Sequence, residues 1–193
     1  LSLICDELDV NVWNLIQLAN RHPRVSILKP GPGVGGHCIA IDPWFIIDKS
    51  SANARLIRLA RQINDQKTAW VVNKVKSEVA NYLKENPTKK LKDVTIACYG
   101  ITYKPNIDDL RESPALKITQ KIAKKHAGKV IVFEPNIKVL PEMLKKNKNL
   151  YLKSFNKKNS STNIAVLLVN HREFKNINIS ASKKIDTRGI WGK

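Results

Sequence analysis

Val94-Thr95-Ile96-Ala97-Cys98-Tyr99 and Val130-Ile131-Val132-Phe133, with Ser113-Pro114 between them, decide the fold. Each apolar run is too short for a helix and too continuous for a half-wet strand, so each predicts a strand covered on both faces. Serine followed by proline predicts a helix start, with Ser113 as N-cap and Pro114 in the first turn. Leu116, Ile118, Ile122 and Ala123 lie on that helix. Further strands are predicted at Leu150 to Phe155, Ile164 to Val169 and Lys184 to Asp186, with a short helix at Pro141 to Lys145. Strands that alternate with helices in this way make an α/β fold with a parallel sheet.

Upstream the periodicity changes. Leu56, Leu59, Ile63, Trp70, Val71, Lys74, Val75, Val79 and Leu83 fall near one stripe, and no Gly or Pro interrupts residues 52–85. They predict a helix about 50 Å long. A helix that long in a 193-residue chain needs cover from outside itself. A partner subunit supplies it in one reading, and a spacer between domains is the other. Residues 1–21 also read as helical, through Leu8, Val12, Leu15, Ile16 and Leu18, with Asn11 as a cap. Pro87 to Lys92 form a basic break, which divides a helical domain at 1–88 from an α/β domain at 89–193.

Between the helical segments, residues 22–36 hold three prolines and four glycines, and Gly31-Pro32-Gly33-Val34-Gly35-Gly36-His37-Cys38 ends on a thiol, with Asp42 four residues on. Glycine lets a backbone approach another group closely, so Cys38 reads as an exposed nucleophile. The loop lacks the Lys-Ser/Thr of a phosphate loop. It is no dinucleotide fingerprint either, since no strand precedes it and no clear helix follows. Its N–H groups read as facing an anion or a developing oxyanion. A second loop, Tyr99 to Pro114, leaves the carboxyl end of the first strand, where open α/β sheets bind ligands. Lys104 and Arg111, beside a helix N-terminus, suit a diphosphate. Arg188, after the last strand, is expected at the same end of the sheet. His22-Pro23-Arg24 is a weaker candidate.

The formal net charge is +18, but the lysines are scattered among Asn and Ile, so no nucleic-acid partner is expected. No apolar run of about 18 residues predicts a membrane span. Leu1 to Glu7 has no basic n-region, so no secretory leader is expected. Three cysteines without a CxxC, and four histidines without zinc-like spacing, predict no metal and a reduced, cytoplasmic protein. Cys5 and Cys98 lie in apolar segments and read as core thiols.

Ala19 to Arg24, Lys29 to Trp44 and Lys104 to Pro114 together resemble the UDP-glucose/GDP-mannose dehydrogenase family, and the resemblance covers nearly the whole chain. It implies three parts: an NAD-binding Rossmann domain, a central helical domain that dimerises through a long helix, and a Rossmann-like UDP-binding domain. This chain resembles the second (1–88) and the third (89–193), so it is expected to be a C-terminal piece, without turnover by itself. The resemblance implies a homodimer through the 52–85 helix, NAD as cofactor and a UDP-sugar as substrate. In the implied reaction Cys38 attacks an aldehyde made from the sugar C6 alcohol, and Asp42 orients water to release the acid. Gly35, His22, Arg24, Tyr103, Lys104 and Arg188 would contact the UDP-sugar, with His22 and Arg24 reaching a neighbouring subunit, and Arg111 would contact NAD. One position and one stretch depart from the family's pattern: Arg188 stands where relatives carry lysine, and Asn156 to Thr162 is Lys/Asn/Ser-rich where a short acidic helix is usual. His37 is given no role.

Overall fold

The predicted strands all form, and their side chains alternate between two cores. The structure, a computed structural model, describes residues 1–155 and 161–191. Ile96–Tyr99 (β1), Val130–Phe133 (β2), Leu150–Lys153 (β3), Thr162–Leu167 (β4) and Ala181–Asp186 (β5) make one sheet. Its order is β3-β2-β1-β4-β5 and every pairing is parallel. Ile96, Cys98, Val130, Val132, Ile164 and Val166 point to one core, and Ala97, Tyr99, Ile131, Phe133, Ala165 and Leu167 to the other. That two-residue alternation is what the pleat requires. β5 is longer than the sequence suggested, because an edge strand carries lysines such as Lys183 and Lys184 without an apolar run to mark it.

The first face is covered by Arg55–Glu85 (α4) and Pro114–Lys125 (α5). Ser113 caps α5 as expected: Oγ accepts from the Leu116 N–H at 3.2 Å and donates to the Ile101 carbonyl at 2.7 Å. The second face carries an aromatic cluster, in which Tyr99 meets Phe133, Phe155, Phe174 and Trp191 with ring centroids 5.0–6.2 Å apart. Cys98 is wholly buried, and burial pushes its thiol up to about 12. Cys5 is buried as well, so both core-thiol expectations hold.

The chain divides into two compact units, Leu1–Gly31 and Pro32–Lys193. In the first, the predicted 1–21 helix is broken into Ser2–Glu7 (α1) and Val12–Ala19 (α2). The break falls at Asp9, whose φ of 51° leaves the helical region. Asn11 restarts the helix, its side chain accepting from the N–H groups of Trp13 and Asn14 at 3.0 and 3.1 Å.

In the second unit, Asp42–Lys49 (α3) is a helix the sequence reading missed; Asp42 and Pro43 occupy its first turn. α4 is 31 residues long and splits along its length. Val71, Val72, Val75 and Val79 are buried on the sheet side, whereas Leu56, Leu59 and Ile63 near its start are exposed. Phe45 and Ile46 of α3 add to the exposed apolar side chains of this region. Glu142–Lys145 (α6) is the short helix expected before β3. Residues 156–160 of the Lys/Asn/Ser-rich stretch lie outside the described residues, and Thr162 already belongs to β4.

Gly100 turns the chain out of β1 with φ 87°, and an added Cβ would meet Val169 Cβ at 2.4 Å. Gly100→Ala is expected to lower unfolding stability by roughly 1–3 kcal/mol, measured by urea unfolding. An unchanged midpoint would refute this account of the turn.

Candidate active site

Two loops meet at the carboxyl end of β1. The glycine loop packs directly on the 103–114 loop, and glycine is what permits it. A Cβ on Gly35 would lie 2.5 Å from the Glu112 carbonyl oxygen and 2.9 Å from Pro114 Cδ; one on Gly36 would lie 2.9 Å from the Tyr103 ring. Gly36 N–H donates to the Arg111 carbonyl at 3.1 Å. Val34 N–H donates to Asn64 Oδ1 at 2.7 Å. Two of the loop's N–H groups are therefore spent on the protein itself, which corrects the reading in which the whole loop faces an anion.

Cys38 is exposed. Its carbonyl accepts from the N–H groups of Ile41 and Asp42, at 2.9 and 2.8 Å, in the turn that leads into α3. Asp42 is exposed one helical turn from the thiol-bearing residue. Arg111 pairs with Asp109, Nη2 to Oδ2 at 2.6 Å and Nε to Oδ2 at 2.9 Å. That contact holds the Asp109 carboxyl below its ordinary range and raises Arg111, to which Tyr103 and Cys38 add smaller electrostatic effects. Tyr103 and Arg111 thus both meet the glycine loop at Gly36, two residues before the thiol.

Lys104 is exposed near the loop's start, and its carbonyl accepts from Thr102 Oγ1 at 2.9 Å. Arg188 follows β5, and both residues leave the carboxyl ends of parallel strands, so they lie at one edge of the sheet as expected. Arg188 Nε donates to Asn170 Oδ1 at 2.9 Å; burial lowers its pKa, and Asp186 works the other way. His22 and Arg24 belong to the first unit, both exposed, where His22 Nδ1 accepts from the Arg24 N–H at 3.3 Å. Among the described residues no cluster of His, Cys, Asp and Glu is placed to hold a metal ion.

Sequence reasoning missed the buried network beneath Lys104. Glu134 follows β2 and His171 lies beyond β4, both buried. Glu134 Oε2 accepts from Ile101 N–H at 2.8 Å and lies 3.1 Å from His171 Nε2, while Oε1 accepts from Asn136 N–H at 3.0 Å. His171 Nδ1 accepts from the Asn106 N–H at 2.9 Å, which leaves Nε2 to carry the proton that faces Glu134 and Thr102. Asn106 Oδ1 accepts in turn from Arg172 N–H at 2.9 Å. The loop carrying Tyr103 and Lys104 is so tied across to the β4–β5 connection. Asn106 holds φ 61° within it. An acidic residue just after a buried strand was the one visible signal; His171 had none.

In a dinucleotide-binding unit the carboxylate near this place takes ribose hydroxyls. Both oxygens of Glu134 are already engaged, so the described residues do not make a dinucleotide site of that kind. Burial would push the Glu134 carboxyl up. The hydrogen bonds from His171, Ile101 and Asn136 outweigh it and leave the pKa lowered. A carboxyl lowered on folding adds stability above its unfolded pKa, about 4.3, that is lost as the pH falls through the folded value. Urea unfolding from about pH 6 to about pH 3 is expected to show that loss, and Glu134→Gln to show a shallower one; parallel curves would overturn the assignment.

A family model described as the UDP-glucose/GDP-mannose dehydrogenase family, central domain, matches residues 1–66, and that family's UDP binding domain matches residues 97–193. The UDP-N-acetyl-D-mannosamine dehydrogenase of Salmonella typhi is 52% identical over 99% of this chain and 46% of its own length. The NDP-N-acetyl-D-galactosaminuronic acid dehydrogenase of Ralstonia nicotianae is 49% identical over 99% of this chain and 43% of its own. Among solved structures, the UDP-N-acetyl-mannosamine dehydrogenase of Staphylococcus aureus superposes with a TM-score of 0.75 at 32% identity, covering 97% of this chain and 42% of that one. The chain spans a little under half the length of these relatives.

Proposed function

The chain belongs to the UDP-glucose/GDP-mannose dehydrogenase family, and on that premise we propose that it is the dimerising and UDP-sugar-binding part of a UDP-N-acetyl-D-mannosamine 6-dehydrogenase. The observation that carries the reading is the docking of the Cys38 loop on the loop of Tyr103, Lys104 and Arg111, through Gly35 and Gly36. It sets an exposed thiol beside a cationic strand-end loop. The relatives named as UDP-N-acetyl-D-mannosamine dehydrogenases support the choice of sugar. The N-acetylgalactosaminuronic acid dehydrogenase at 49% identity makes another UDP-N-acetylhexosamine the second reading.

In this reading residues 1–88 form the dimerising domain and 89–193 the UDP-binding domain, and the protein works in the cytoplasm. Lys104 and Arg188 hold the diphosphate; Tyr103, the Gly35 backbone, His22 and Arg24 complete the UDP-sugar site, the last two from a neighbouring subunit. Lys104 suits the task because a flexible ammonium is a mobile point charge. Arg188 is fixed by Asn170 and adds a directed fork.

Cys38 Sγ would add to the C6 aldehyde, with the proton the thiol loses ending on the aldehyde oxygen, to form a thiohemiacetal; loss of a hydride to an acceptor would leave a thioester, which water would cleave to the carboxylate and the free thiol. A thiolate serves both steps, as a strong nucleophile and a good acyl leaving group. Asp42, one turn further on, orients that water. NAD, the cofactor the family implies, would supply that hydride acceptor in both oxidations. Arg111 is the residue of this chain assigned to touch it; among the described residues Glu134 is engaged within the protein rather than open to a ribose, and in this reading the chain is not expected to turn over alone.

Leu56, Leu59 and Ile63 of α4, with Phe45 and Ile46 of α3, form the face on which a second copy packs. Leu59→Asp is expected to convert a dimer into monomers by light scattering; a dimer that persists would move the interface elsewhere. UDP should bind the chain weakly, and Lys104→Ala should weaken it about tenfold or more, as expected for loss of a charged hydrogen bond, measured by calorimetry. No binding of UDP at millimolar concentration would refute the site.

A further inference from the structure

The structure assigns Asn64 as the positioning residue of the Cys38 loop, with Arg61 one turn earlier in support; the assignment rests on Cys38 as the nucleophile. Both residues lie on α4, three positions apart, and so on one face of the helix. Asn64 pairs with the backbone of Val34 at two points. Val34 N–H donates to Oδ1 at 2.7 Å, and Nδ2 donates back to the Val34 carbonyl at 3.4 Å. A carboxamide is the side chain that offers an acceptor and a donor side by side, matching a peptide group. Arg61 Nη1 makes a longer contact, 3.5 Å, to the carbonyl of Ile39, and Nη2 lies 3.6 Å from Asp65. Arg61 is only 9% exposed, so its guanidinium is confined.

Val34 and Ile39 bracket Cys38. The segment between the two pins begins with Gly35 and Gly36, whose backbones lose the most freedom on being ordered. On the other side Gly36 is tied to Arg111. The pins are rigid because α4 is held further along by Val71, Val72 and Val75, all buried against the sheet-side core. The Cys38 loop is thereby held from α4 through hydrogen bonds separate from those that Glu134, His171 and Asn106 make under the diphosphate loop. A displacement of about 1 Å in such a group can cost about a hundredfold in rate, so the pairing bears on turnover rather than on substrate affinity.

Hydrogen exchange by mass spectrometry separates positioning from plain stability. Asn64→Ala should speed exchange in residues 32–41 about tenfold or more, with the segments of β1, β2 and β4 unchanged. Asn64→Asp keeps the acceptor for Val34 N–H and should restore most of the protection. In the longer protein that carries this chain, Asn64→Ala should lower kcat about tenfold or more, with KM for the UDP-sugar within about twofold. Unchanged exchange in 32–41, loosening spread evenly through the sheet, or an aspartate no better than alanine would each overturn the assignment. A Cys38→Ala protein that still forms the acid would overturn the nucleophile reading instead, and that result is independent of the exchange data.

Discussion

Gly35 has no Cβ, and a Cβ there would sit 2.5 Å from a backbone oxygen of the facing loop, a contact that no side-chain rotation can relieve. The site depends on that absence. It brings the backbone before Cys38 onto the residues that open α5, and places Gly36 on the Tyr103 ring. Glycines in a loop before a thiol suggest a ligand approaching closely. Here they serve first to let two protein segments approach each other, and the thiol is presented from the resulting seam.

The second constraint is burial at the carboxyl edge of the sheet. The order β3-β2-β1-β4-β5 turns at β1 and β4, where an open α/β sheet leaves a crevice. Glu134, His171 and Thr102 are buried beyond these strands, and each is hydrogen-bonded within the network. A buried carboxylate is tolerable only when its lone pairs are met, and Glu134 meets that condition through two N–H groups and an imidazole. The left-handed Asn106 is held from two sides by the same network. The chemistry-bearing loop above thereby rests on rigid strands.

The strands were legible because burial on two faces demands unbroken apolar runs, as in Ile164 to Leu167, and the start of α5 because Ser113-Pro114 carries its own capping chemistry. The three thiols lie where their neighbours in sequence predict, Cys5 and Cys98 inside and Cys38 outside. Weak local pattern hides other elements. α3 was missed, since Asp42 to Lys49 mixes exposed Phe45 and Ile46 with a single buried Ile47 and so shows no clean stripe. The first helix was read through Asp9, which breaks it by a left-handed turn that other residue types would resist.

From the sequence alone came the α/β class, the helix–strand succession, the exposed thiol beside glycines and the cations at a strand end. All are local, set by periodicities of two and 3.6 residues and by turn chemistry. Only the tertiary structure decided what those residues meet. Val34 finds Asn64 thirty residues away, Ile101 finds Glu134 across 33, and Thr102 finds His171 across 69. Such pairs leave no periodic trace, because they are made by chain segments that packing, not sequence neighbourhood, brings together.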